Sequence, residues 1–144
     1  MANIIYTNYL EQLCSGTINL ISDPIYAMLL SGDYVPNTGD MLVADIASYE
    51  AEDTSASPEY LPGGYLLASK NLSVSAGEIV FDAADVTVTT ATIQASGVAL
   101  WASGATAADH HLISWTELGD TSSTNGTFQI VWSSTDGIFK VGAT

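Results

Sequence analysis

His110-His111 is the chain's only histidine pair. Imidazole is the side chain best suited to binding a transition metal or moving a proton near neutral pH. Adjacent residues on a strand point to opposite faces, so the two rings cannot close on one ion, and no third ligand stands at a zinc-like spacing. At a strand start, one ring is expected to be half-packed and the other solvated. Asp82 and Asp85, in FDAADV, carry oxygens of the kind Ca²⁺ accepts in irregular loops. Asp in such a turn instead bonds its own backbone, and Asp85 is placed to finish the turn before a strand. Glycoside hydrolysis needs two facing carboxyls, one raised in pKa by burial, and sixteen acids guarantee some pair without singling one out. Gly63-Gly64 opens no helix, so it reads as a tight turn and not a phosphate cradle. No GxSxG elbow, phosphate loop or Cys–His arrangement is present. These residues assign no catalytic group, metal ligand or cofactor.

The remaining reactive or aromatic groups read as packing. Cys14 is the single cysteine, so no intramolecular disulfide can form. Beside Leu10, Leu13 and Ile18 it is expected to be a small buried hydrophobe. Trp101, Trp115 and Trp132 each stand in an apolar-alternating stretch, which fits a core or an interface better than a sugar-stacking platform.

Charge excludes more than it assigns. Two Lys, no Arg and sixteen acids give a net charge of −14. Nucleic-acid binding needs Lys and Arg against phosphates, and an anionic membrane surface needs the same, so neither is an expected partner. The acids are scattered as on a solvated face, and their repulsion keeps copies apart until a specific contact overcomes it. Against 12% charged residues, 47% are hydrophobic, a surplus that suits subunit contacts, whose centres are poor in charge. No run approaches the ~20 apolar residues of a membrane helix, and Met1-Ala2-Asn3 opens no secretory signal pattern.

The elements that would position these groups are mostly strands. At 144 residues the chain fits one domain, burying roughly 70% of its unfolded surface. Ile4–Cys14 spaces Ile5, Tyr6, Tyr9, Leu10 and Leu13 as one stripe of a short helix, with Gly16 to end it. Ile18–Ile21 and Ile25–Leu30 read as extended. Residues 31–64 form a long excursion of turns and acids, with one or two helical turns in MLVADI after Asp40 as N-cap. An excursion of that length is expected to stay mobile or to contact a neighbouring subunit. Strands are then expected at Tyr65–Ser75, Glu78–Asp82, Asp85–Val88, Thr92–Ala102 and His110–Leu118, with turns at Ala76-Gly77 and near Thr90–Ala91. Gly119–Asn125 reads as polar turn material. Phe128, Ile130 and Trp132 mark another strand, and Asp136-Gly137 signals a hairpin into Gly137–Val141. The fold class is therefore mainly β, a single-domain β-sandwich or jelly-roll-like fold with a short N-terminal helix and a long loop excursion. Residues 1–20 are the helix or arm, 31–64 the excursion and 65–144 the main β region.

The order of these features resembles a family of small structural proteins encoded by tailed bacteriophages. The residues that carry the resemblance run from Tyr6 to Val141. They include Cys14-Ser15-Gly16, Ile18-Asn19-Leu20, Asp23-Pro24-Ile25-Tyr26-Ala27-Met28-Leu29, Tyr34-Val35-Pro36-Asn37, the MLVADI segment, Pro62-Gly63-Gly64-Tyr65, Phe81-Asp82-Ala83-Ala84-Asp85-Val86-Thr87, Ser96-Gly97-Val98-Ala99-Leu100-Trp101, Thr124-Asn125-Gly126 with Phe128-Gln129-Ile130, and Trp132 with Asp136-Gly137-Ile138-Phe139. The resemblance implies a non-enzymatic virion component, a capsid decoration (cement) protein seated on major capsid proteins, commonly as a homotrimer. A place on the virion's capsid surface, after synthesis in the host cytoplasm, goes with it. The N-terminal segment and the excursion would then grip the shell or a neighbouring protomer, through Ile5, Tyr6, Tyr9, Leu10, Leu13, Tyr34, Met41, Leu42, Tyr49 and Tyr60. A receptor- or glycan-binding module of a fibre, collar or tail is the alternative, and it would present exposed aromatics in a shallow groove.

Overall fold

Two long antiparallel strands run through the centre of the computed structural model, which describes residues 3–142. Strand β6 (Val86–Ala102) has 17 residues and β7 (His111–Ile130) has 20. On one side β6 pairs with β2 (Ile25–Leu30), which pairs with the short β3 (Tyr65–Leu66). On the other side β7 pairs with β1 (Asn3–Ile5). These five strands form one sheet in the order β1-β7-β6-β2-β3. A second sheet, β4-β5-β8, has three strands: Asn71–Ser75, Glu78–Asp82 and Phe139–Gly142. Helix α1 (Thr7–Cys14) and the four-residue α2 (Val43–Ile46), followed by a 3-10 turn at Ala47–Tyr49, are the main helical pieces. The fold is a mainly β, sandwich-like single domain. The first two residues of the N-terminal arm and residues 143–144 of the main β region lie outside the described part.

The two-residue period of each strand sends its side chains into two separate apolar clusters. Ile25, Ala27 and Leu29 of β2 join Val98 and Leu100 of β6 and Phe81 and Phe139 of the smaller sheet in the core between the sheets. Met28 and Leu30, with Ala99 and Trp101, face the other way and meet Tyr6, Tyr34 and Ile46. The middle of the large sheet is thus covered on both faces, which is why IYAMLL and SGVALW are apolar without interruption. A register shift beside Leu100–Trp101 lets Leu112 and Trp115 share the second face, since Trp101 pairs with Leu112 and Ala99 with Trp115.

Several sequence expectations need correction. Ile4 and Ile5 belong to β1, and the helix starts only at Thr7. That shift breaks the expected stripe: Tyr9 is buried, whereas Leu10, Leu13 and Cys14 point to solvent. Cys14 is therefore an exposed thiol and not core. Ile18–Ile21 forms no strand, although Ile18 and Leu20 reach the core. Tyr65–Ser75 is broken by Ser69, whose φ is 52°. Thr90–Ala91 is no turn: Thr90 (φ 49°) sits at a bulge and β6 continues through it. Gly119–Asn125 is strand too, with Gly119 (φ 67°) and Asp120 in the extra length that β7 carries between Glu117 and Thr121. Polar, turn-forming residues mark bulges as readily as turns.

The Asp136-Gly137 signal does mark a turn, closed by Gly137 N–H donating to Ser133 O at 2.8 Å. The strand after it pairs with β5 and not with Phe128–Ile130, so the turn carries the chain between sheets. Gly137 adopts φ 60°, and a Cβ there would collide with Phe81 O.

Candidate interaction surfaces

The excursion is not a loose loop. It lies over the large sheet and is tied to it by three clusters of polar side chains. Tyr6 Oη lies 2.8 Å from Tyr34 Oη, which donates to Asp40 at 2.8 Å. Asp40 is thus an acceptor for Tyr34 and not the helix N-cap, a position held by Leu42. Asp45 instead accepts from the backbone N–H groups of Met41 and Leu42 at 3.0 and 2.9 Å, bonds that hold its carboxyl below the usual range. Burial raises both Tyr hydroxyls, that of Tyr34 to about 12 and that of Tyr6 further.

The second cluster centres on Glu50, whose Oε1 accepts from Tyr60 Oη at 3.0 Å and Gly63 N–H at 2.7 Å. Tyr60 Oη also accepts from Leu29 N–H at 2.8 Å, and Trp101 Nε1 donates to Gly63 O at 2.7 Å. Burial pushes the Glu50 carboxyl up despite these bonds. Gly64 (φ 106°) lies so close to β2 that a Cβ would collide with Ala27 O. The third cluster joins the excursion to β6. Asp53 accepts from Ser55 N–H and Thr92 N–H, each at 3.0 Å, and Glu59 accepts from Thr89 N–H at 2.9 Å. Burial pushes the Asp53 carboxyl up, but its hydrogen bonds outweigh that and hold it at about 2.

These ties engage Tyr6, Tyr34, Tyr60, Asp45, Glu50 and Asp53, whereas Tyr9 stands apart, its hydroxyl pushed up to about 12 by burial and without a hydrogen-bond partner. A cleft of about 470 Å³ beside Glu50, Asp53 and Tyr60 is lined by groups already engaged in those ties. A larger one, about 580 Å³, opens between the edges of β7 and β8, with Leu118, Ile130, Phe139 and Lys140 on its walls. Lys140 there is ion-paired with Asp136 at 2.6 Å and Glu78 at 3.7 Å. Among the described residues, no three His, Cys, Asp or Glu side chains gather as a metal site. Asp85 accepts from Trp132 N–H at 2.9 Å, across the chain and not within its own turn. His110 lies against Trp101, ring centres 4.8 Å apart, and His111 Nδ1 is 3.0 Å from Asn8 Nδ2. Both rings are half-buried, so neither is the solvated one expected.

The residues expected at an interface divide sharply. Tyr6, Tyr9, Tyr34 and Tyr60 are buried in the chain's own core, where large aromatics contribute most to stability. They hold the fold together and are not open to a partner. Ile5 and Leu42 are half-buried. Leu10, Leu13, Met41 and Tyr49 are exposed, at 41%, 37%, 52% and 37%. The structure brings the two proposed gripping segments together: Thr7 N–H donates to Thr38 O at 3.1 Å, and Leu42 forms a bridge with His111, which contacts Asn8 of α1. Val35, 80% exposed, was missed because an isolated Val in a turn carries no periodic signal. The three Trp are buried at 6–8% exposure, so none supplies a stacking platform.

No protein-family model, curated protein or solved structure matches this chain. No helix among the described residues is long and apolar enough to cross a membrane.

Proposed function

We propose that this chain is a non-enzymatic structural protein of a tailed-phage virion, a decoration protein that binds the outside of the major capsid shell. The observation that supports this best is the meeting of α1 with the Thr38–Leu42 segment, two stretches that each leave apolar side chains exposed, Leu10 and Leu13 on the helix and Met41 in the excursion. A shell-binding protein needs such an apolar docking face with a polar rim. It needs no converging reactive groups, and the perturbed carboxyls and hydroxyls described above, Tyr9 apart, serve as internal ties. The −14 charge suits the outer face of a shell, away from packaged nucleic acid. Several copies joined in one oligomer would each bind modestly and gain from effective concentration.

The test is co-sedimentation with shells assembled from the major capsid protein. Removing residues 1–15 would be a poor probe, because Tyr6 and Tyr9 are core. The double variant Leu10→Asp, Met41→Asp keeps the core and is expected to lose shell occupancy by tenfold or more, a change of about 1.4 kcal/mol. Undiminished occupancy of that folded variant would refute the proposed docking face, and wild-type protein that ignores shells would refute the function.

A further inference from the structure

Strand β4 (Asn71–Ser75) is the outermost strand of the smaller sheet, and all five of its residues are exposed. Its inner edge pairs with β5, and among the described residues no other strand lies along its outer edge. Open edges are usually blunted by Lys, Pro, a bulge or a covering loop. Asn71–Ser75 contains no charge, no proline and no register shift. The uncharged run extends to Gly77.

The side chains add an apolar row. Leu72 pairs with Phe81, and Val74 with Ile79, so all four share one face. Phe81 is buried in the core, while the row beyond it emerges uncovered: Leu72 at 42%, Val74 at 77% and Ile79 at 48% exposure. The polarity pattern of Asn-Leu-Ser-Val-Ser reads the same in both directions about Ser73. Two-fold contacts demand this kind of self-complementarity, in which each residue meets the partner of its partner.

We propose that β4 is a homotypic docking edge, on which a second copy of this chain adds its own β4 antiparallel, centred on Ser73. In that register Leu72 of each copy faces Val74 of the other, and Asn71 faces Ser75. The two smaller sheets become one six-stranded sheet, and the two apolar rows merge into one. Acids, which would repel between copies, are absent from the contact itself. The proposal goes beyond shell binding and uses a different sheet from the α1 surface, so either can fail alone.

Two measurements test it. Sedimentation equilibrium over a dilution series is expected to show a monomer–dimer equilibrium that tightens with added NaCl, which screens the remaining repulsion. Val74→Lys places a charge on the seam at a highly exposed position and is expected to raise the dimer dissociation constant about tenfold or more, with an unchanged melting profile. In a Cys14→Ser background, Ser73→Cys is expected to give a disulfide-linked dimer on mild oxidation. The two Cα atoms would stand about 4.5–5.5 Å apart, within disulfide reach. Asn71→Cys, off the two-fold axis, is expected to cross-link far less. A wild type that stays monomeric, an oligomer indifferent to Val74→Lys, or equal cross-linking at the two positions would each overturn the proposal.

Discussion

Asp53 shows what a single buried carboxylate does for this fold. Its bonds to Ser55 and Thr92 hold it at about 2, below the ~3.9 of an unfolded aspartate. A depressed carboxyl adds stability above its unfolded pKa and loses that contribution as pH falls through the folded value. The wild type should therefore lose part of its stability between about pH 4 and pH 2. Asp53→Asn should melt lower at neutral pH and lose less on acidification, as thermal melts across that range would show. Ser114 makes the opposite case. It is fully buried and its Oγ has no hydrogen-bond partner, so its desolvation is uncompensated. Ser114→Ala should raise the melting temperature, by a stability gain of about 1 kcal/mol. Neither role was legible in the sequence. One Asp among sixteen acids and one Ser in an alternating strand carry no local mark, because long-range pairing sets their surroundings.

At the scale of elements, the sequence is most legible where burial alone writes the pattern. Strands β2 and β5, the Ala76-Gly77 turn and the apolar half of β6 stand where alternation and turn chemistry put them. It misleads where a long strand bends. Thr90 and Gly119–Asn125 look like turns because backbone in the left-handed region wants small or polar residues whether the chain reverses or merely bulges. Thr90 is costly there, since a β-branched residue at φ 49° is strained by ~1 kcal/mol or more. Thr90→Asn should relieve part of that strain and raise the melting temperature, whereas Gly64→Ala should lower it through collision with Ala27 O. A parallel pair of melts decides both. The candidate surface was half legible for a related reason. Tyr6, Tyr9, Tyr34 and Tyr60 were recognisable as important contact residues, but spacing cannot tell a face buried by the chain's own excursion from one buried by a partner. The excursion's polar ties, which make it a second cover for the sheet, link residues up to 39 positions apart.

For the whole molecule the deciding quantity is where charge is absent. Val86–Ala108 carries no Asp, Glu, Lys or Arg, so the acids concentrate in the excursion and the sheet margins. Lys140 is engaged with Asp136 and Glu78, and Lys70 with the carbonyl of Asp23. Little cationic charge is left to offset the rest. The compact state gathers fourteen net negative charges that the unfolded chain holds farther apart, so folding works against their repulsion. Salt shortens the Debye length from ~30 Å at 0.01 M to ~8 Å at physiological ionic strength. The melting temperature should therefore rise with NaCl over that range and level off once neighbouring acids no longer sense one another. The ion pairs of Lys140 weaken under the same screening, but exposed pairs are worth under ~1 kcal/mol and cannot reverse the trend. A melting temperature that falls as NaCl is added would mean that attraction, and not repulsion, governs the surface. Repulsion would then no longer favour an uncharged edge as the place where copies meet.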